Sequence, residues 1–114
     1  MELEQVKPPR RFRVGLRRQI ELSDCARVRL APNEQITFVT DDGREHDFAA
    51  KEWGFYATPS VNGRLKEQGL RTALVRNSAG RHYVMVVIES RMDAFHEYLR
   101  QEEQTVVEWL DQRA

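Results

Sequence analysis

Two apolar runs joined by a five-residue loop constrain this chain more than any other feature. Leu70 to Arg76 and Tyr83 to Ile88 are rich in β-branched and apolar residues, and Asn77-Ser78-Ala79-Gly80-Arg81 between them has the length of a hairpin connection. The runs are therefore expected as neighbours in a sheet. Val84-Met85-Val86-Val87-Ile88 offers no polar face, so its strand is expected at the centre, covered on both sides. The residues that follow supply a cover. Ser90-Arg91-Met92-Asp93 resembles a capping box, and Met92, Phe95, Leu99, Val106 and Leu110 recur at intervals that make one apolar helical stripe. Glu102 and Glu103 interrupt that stripe, which places a break or bend near Gln104-Thr105.

The first half reads as shorter strands. Phe12, Val14, Leu16, Ile20 and Leu22 fall on alternating positions, consistent with one or two strands interrupted near Gly15. Ala26 to Leu30 and Gln35 to Thr40 also alternate, with Ala31-Pro32-Asn33-Glu34 as the link. Asp41-Asp42-Gly43-Arg44 predicts a tight turn, because Asp-Gly readily takes up positive φ, and Glu45 to Ala49 then returns antiparallel.

With 114 residues the chain suits one modest core, and the fold class is α+β: a curved antiparallel sheet of five or six strands, a short central helix and a longer C-terminal helix. Met1 to Arg11 lacks apolar periodicity and contains Pro8-Pro9, so residues 1–11 are expected as a flexible basic tail and 12–114 as a single domain. Eighteen basic and eighteen acidic side chains cancel. That balance excludes a whole-molecule field drawing the chain to nucleic acid or an anionic membrane. One lone cysteine, Cys25, next to Asp24 and expected at the core or its boundary, and no apolar leader point to a cytoplasmic address. The longest apolar run falls far below the roughly 20 residues that span a bilayer.

The densest candidate site is the stretch Trp53 to Arg64. Thr58-Pro59 reads as a helix start, with Thr58 as cap and Pro59 at the first helical position, and Gly69 closes a helix over about 59–68. Ser60, Val61 and Asn62 would then present free amides, a favourable place for phosphate or carboxylate. Arg64, Lys66 and Arg71 could add charge, and Trp53, Phe55 and Tyr56 could offer flat faces to a base or sugar ring. The predicted ligand set is therefore Trp53, Phe55, Tyr56, Ser60, Asn62, Arg64, Lys66 and Arg71. The competing interpretation makes the aromatic cluster a plug that fills the end of a sheet.

Other chemistry is thinner. His46, His82 and His96 are widely separated and Cys25 has no cysteine partner, so no metal-ligand spacing emerges and no cofactor is implied. Ser60 and Ser78 have no recognisable base and orienting acid, which leaves no candidate catalytic residue. The run Lys7 to Arg18 holds Arg10, Arg11, Arg13, Arg17 and Arg18 beside Phe12, a set that could bind nucleic acid through phosphates and one stacked ring. The opposite end is acidic, and a protein-interaction reading predicts that Trp109, Val106 or Val107 forms part of an exposed apolar patch there.

Trp-Gly-Phe-Tyr-Ala-Thr-Pro-Ser-Val-Asn-Gly-Arg-Leu, followed by Leu-Arg-Thr-Ala-Leu-Val-Arg-Asn and Val-Val-Glu-Trp-Leu-Asp, resembles a group of small uncharacterised bacterial proteins. The resemblance spans about Phe12 to Asp111. It implies a setting among genes for surface-sugar biosynthesis and carries over no catalytic residue. The function expected is a non-catalytic accessory or binding protein taking an anionic small molecule, such as a nucleotide or sugar nucleotide, or a protein partner at the 53–71 surface. A second copy of the chain is also a candidate partner. The alternatives are a nucleic-acid-binding module built on the N-terminal segment and a small enzyme of sugar-nucleotide metabolism.

Overall fold

The computed structural model describes residues 1–113. It is an α+β structure with a short mid-chain helix and a longer helix near the C-terminus. The strands do not form the single curved sheet that the sequence suggests. They form three sheets, ordered β1-β2, β3-β4-β5 and β7-β6-β8. Contacts gather the chain into two units, Met1–Phe38 with Asp47–Thr58, and Val39–His46 with Pro59–Ala114, each holding part of the stretch read as one domain.

In the first unit, β1 (Glu2–Val14) and β2 (Ile20–Arg29) make a long antiparallel ribbon. Residues 2–11 are thus strand where the sequence suggests a tail. The main-chain ladder to β2 orders them, together with cross-strand charge: Arg10 Nη2 lies 3.3 Å from Asp24 Oδ2, and Arg29 Nε lies 3.7 Å from Glu2 Oε2. A tail read without its partner strand shows neither. The break near Gly15 is real, since Gly15 has φ 95° and the turn it opens connects the two strands. Cys25 is exposed, with its Sγ 3.4 Å from the Ser23 carbonyl, and so belongs to no core.

The next sheet contains β3 (Gln35–Val39), β4 (Glu45–Lys51) and β5 (Gly54–Ala57). The Asp-Gly turn forms as expected. Gly43 has φ 88° and its amide donates to the Thr40 carbonyl at 2.9 Å, while Thr40 Oγ1 donates to Asp42 Oδ1 at 2.5 Å and accepts from the Arg44 amide at 3.0 Å. β4 and β5 pair antiparallel from Phe48↔Ala57 to Lys51↔Gly54, which leaves Glu52 and Trp53 as the hairpin tip.

The second unit holds the described core. β6 (Leu70–Arg76) pairs with β7 (His82–Ile88) and with β8 (Thr105–Trp109). The hairpin is the one expected, and Asn77 Oδ1 ties its loop by accepting from the Ala79 and Arg81 amides. The central place, however, belongs to β6 and not to β7. Ala73 and Val75 of β6 are fully buried, whereas Val84 of β7 is 65% exposed. An all-apolar run shows that a strand has no polar face, and it does not show that both faces are covered.

The C-terminal helix, α2 (Met92–Gln101), is shorter than the apolar stripe. Its last turn is closed by the Gln104 amide donating to the Leu99 carbonyl at 2.9 Å, with Glu103 at φ 52°. The break falls where the two glutamates announce it, but the chain beyond is a strand. Thr105-Val106-Val107 is β-branched and suits a pleated surface better than a helix. Phe95 and Leu99 from the helix and Val106 from the strand meet Ala73, Val75 and Trp109 in one core, so three residues of the stripe are core residues, and Trp109, expected on an exposed patch, joins them. Ser90 caps nothing: it lies in a 3-10 turn over Glu89–Arg91, and Arg91 occupies the cap position of α2 with no side-chain hydrogen bond.

Candidate functional site

The sheet β3-β4-β5 carries an unusual amount of exposed aromatic surface. In the β4–β5 register Phe48 opposes Ala57 and Phe55 opposes Ala50, so Phe48 and Phe55 point to the same face as diagonal neighbours. Phe38 of β3 joins them, its ring 6.0 Å from Phe48 in an edge-to-face contact at 76°. Phe38 is 56% exposed, Phe48 39% and Phe55 70%. The alanines opposite Phe48 and Phe55 are too small to cover a ring, which is why rings this large remain in water.

Trp53 sits at the hairpin tip, 72% exposed, with the Tyr56 ring 6.1 Å away and tilted by 31°. Tyr56 opposes Ala49 and faces the other side of the sheet. Lys51 Nζ stands 6.0 Å from the Tyr56 ring centre and donates to Asn33 Oδ1 at 2.7 Å. These rings are not sealed inside as a plug would be.

The anion-binding half of the predicted site differs from expectation. The mid-chain helix α1 spans only Arg64–Glu67, and the residue at its cap position is Gly63. Thr58 does not cap it. The Thr58 amide donates to the Asp47 carbonyl at 3.0 Å, extending the β4–β5 ladder by one step. Residues 60–63 form a turn instead of a first helical turn, in which Ser60 Oγ accepts from the Arg64 amide at 3.2 Å and the Ser60 carbonyl accepts from the amides of Gly63 and Leu65. The amides this turn uses are those of Gly63, Arg64 and Leu65, and the amides of Ser60, Val61 and Asn62 precede the helix and do not form its first turn. Asn62 and Lys66 are exposed.

Arg71 is committed elsewhere. Its Nε lies 3.2 Å from Asp111 Oδ2, and its guanidinium carbon stands 4.1 Å above the Trp109 ring. Trp109 in turn packs on Phe95 at 5.9 Å, so the apolar patch expected at this end reduces to Val107, 51% exposed. The Arg71–Asp111 pair, 40 residues apart in sequence, has no local signal that could have announced it.

The basic run is also largely answered within the ribbon. Arg10 pairs with Asp24 and its guanidinium stands 4.6 Å over Phe12, while Arg11 and Arg13 approach Glu21 at 3.9 and 3.8 Å. Arg17 and Arg18 lie exposed on the turn. A shallow groove of about 320 Å³ in the first unit is lined by Glu2, Glu4, Arg27, Val28, Arg29, Leu30 and Phe55. Its two carboxylates offset its two guanidiniums, so it has no preference for an anion.

No family model, curated protein or solved structure matches the chain. The site must therefore be judged on its own geometry. Among the described residues no group of three or more His, Cys, Asp or Glu side chains is placed to hold a metal ion, and no helix is long and apolar enough to cross a membrane.

Proposed function

We propose that the chain is a non-catalytic protein-binding module that docks a partner on the Phe38, Phe48 and Phe55 face. The observation that carries this reading is the joint exposure of those three rings on one sheet face. A fully accessible aromatic side chain offers about 200 Å². At the observed exposures the three rings present about 300 Å² of apolar surface, in the range where patches mark interaction sites. Covering such an area at about 25 cal/mol per Å² contributes roughly 7 kcal/mol before the costs of association, a useful core for an interface.

A small anionic ligand is less well supported. Arg71 is held by Asp111 and Trp109, Ser60 by its own turn, and α1 has a single turn with little dipole. Nucleic-acid binding is weakened by Asp24 and Glu21, which already face three of the five arginines proposed for it.

A photo-crosslinking side chain at position 55, introduced in the producing cell, should give one discrete protein adduct that saturates. Adding Phe38→Ser and Phe48→Ser should remove it. A nucleotide or sugar nucleotide that shifts the Trp53 and Phe55 amide resonances at micromolar concentration, with no adduct formed, would overturn the proposal in favour of a small ligand.

A further inference from the structure

The ribbon β1–β2 is a two-stranded sheet, so β1 has one edge whose main-chain donors and acceptors meet no described strand. Two strands alone are marginal in water, and three or more with an apolar face are needed for independent stability. The ribbon has such a face. β2 runs without interruption past Cys25, so Val28 and Leu22 point the same way, and so do their partners Leu3 and Phe12. Leu3 is 59% exposed, Leu22 45% and Val28 38%.

The sequence of β1 is complementary to its own reverse. With Lys7 placed opposite Pro8 of a second copy, Glu2 falls opposite Arg13, Leu3 opposite Phe12, Glu4 opposite Arg11, Val6 opposite Pro9 and Met1 opposite Val14. Every acid in the strand meets a base, and Leu3 meets Phe12 as Met1 meets Val14. The facing agrees as well, since Leu3 and Phe12 share the apolar side while Glu2, Glu4, Arg11 and Arg13 share the other. Within one chain Arg11 and Arg13 share the single carboxylate of Glu21, and Glu4 has no ion pair among the described residues. A second copy supplies what each lacks.

Pro8 and Pro9 fix the register. They have no amide to donate, so they interrupt an edge ladder wherever they fall. In this register they fall at the two-fold axis, where they lie opposite Lys7 and Val6, and leave two uninterrupted blocks on either side. A slip of two residues one way sets Pro9 opposite Glu4 and Leu3 opposite Arg10, and a slip of two the other way sets Lys7 opposite Arg10 and leaves Glu2 opposite Gly15, outside the strand.

We infer that two copies associate through β1, antiparallel about a two-fold axis near Lys7 and Pro8, to make a four-stranded sheet β2-β1-β1-β2. Glu2 and Glu4 share a groove with Phe55 but not with Phe38 or Phe48, so Phe38→Ser with Phe48→Ser tests the aromatic face while leaving Glu2, Glu4, Arg11 and Arg13 in place. Either reading can therefore fail without the other.

Sedimentation equilibrium of the full chain tests it, with circular dichroism to confirm that each variant is folded. The wild type should be a dimer that weakens with added salt. The pair Glu2→Arg with Glu4→Arg, and separately Arg11→Glu with Arg13→Glu, should each weaken the dimer by about 100-fold or more, since four facing pairs turn repulsive. An equimolar mixture of the two variants should recover a dimer, because an all-basic edge then meets an all-acidic one. A monomeric wild type at millimolar concentration, variants that remain dimeric, or folded variants whose mixture stays monomeric would each overturn the inference.

Discussion

Replacing Arg71 by methionine should damage the second unit far more than the loss of one ion pair on a surface would. Asp111 has a side chain 1% exposed and Arg71 one 20% exposed, with Nε 3.2 Å from Oδ2. Removing the cation leaves a buried carboxylate without a counter-charge, which typically costs about 3–5 kcal/mol. The stacking of the guanidinium on Trp109, 4.1 Å from the ring, is also lost and is worth about 0.5–2 kcal/mol. For a chain of this size, a loss near 4 kcal/mol lowers the midpoint of thermal unfolding by roughly 15 °C. The double variant Arg71→Met with Asp111→Leu removes both charges and should cost only about 1 kcal/mol, so the two sites should couple by about 3 kcal/mol or more. Urea melts give these values, with Trp53→Phe added so that Trp109, the other of the two tryptophans, reports on the core alone. If Arg71→Met cost under 1 kcal/mol, or if the double variant lost the sum of the singles, the pair would be a solvated contact and the argument would fail.

Two further predictions concern the Asp-Gly turn and Gly69, which the Arg44 side chain of that turn reaches. Asp42 is held below the ordinary aspartate range, first by the hydroxyl of Thr40 and then by Arg44, so its contribution to the turn is present above the unfolded value of 3.8 and is lost as pH falls through the lowered folded value. A carbon-detected NMR titration should show Asp42 titrating below a free aspartate and rising in Thr40→Val; an unchanged midpoint in that variant would contradict the assignment. Gly69→Ala should destabilise by about 1–3 kcal/mol, because Gly69 has φ 72° and an added Cβ would lie 2.5 Å from Arg44 Nη1, the atom that donates to the Gln68 carbonyl. Denaturant melts measure this, and Arg44→Ala in the same chain should relieve only the steric part.

Much of the fold was legible because its signals are local. Asp42-Gly43 needs only its own backbone preferences to make a turn, and Leu70–Arg76 with His82–Ile88 needs only a short loop to pair. The helix end at Gln101 was visible in Glu102 and Glu103, although the strand after it was hidden by apolar residues that also suit a helix. What could not be read depends on partners remote in sequence. Residues 2–11 lack a pattern of their own and become a strand because Ile20–Arg29 lies alongside with matching charges. Arg71 looks free until Asp111 and Trp109 are brought to it.

The candidate site was legible in composition but not in chemistry. Trp53, Phe55 and Tyr56 stood out as a cluster, and the structure leaves all three exposed. Phe38 and Phe48, which complete the aromatic face, lie 10 residues apart on either side of a turn, and their alternation with polar neighbours reads as an ordinary half-buried strand. Thr58-Pro59 carries a helix-start signal that the β4–β5 ladder overrides by taking the Thr58 amide.

Hydroxyl-radical footprinting of Phe38, Phe48 and Phe55 tests the docking surface most directly, by comparing the purified chain with the same chain in a gently lysed extract of its own cells. Labelling of these rings should be strong in the purified protein and fall several-fold in the extract, while Val107, exposed in the other unit, stays constant. Equal labelling of the three rings in both preparations would contradict the account.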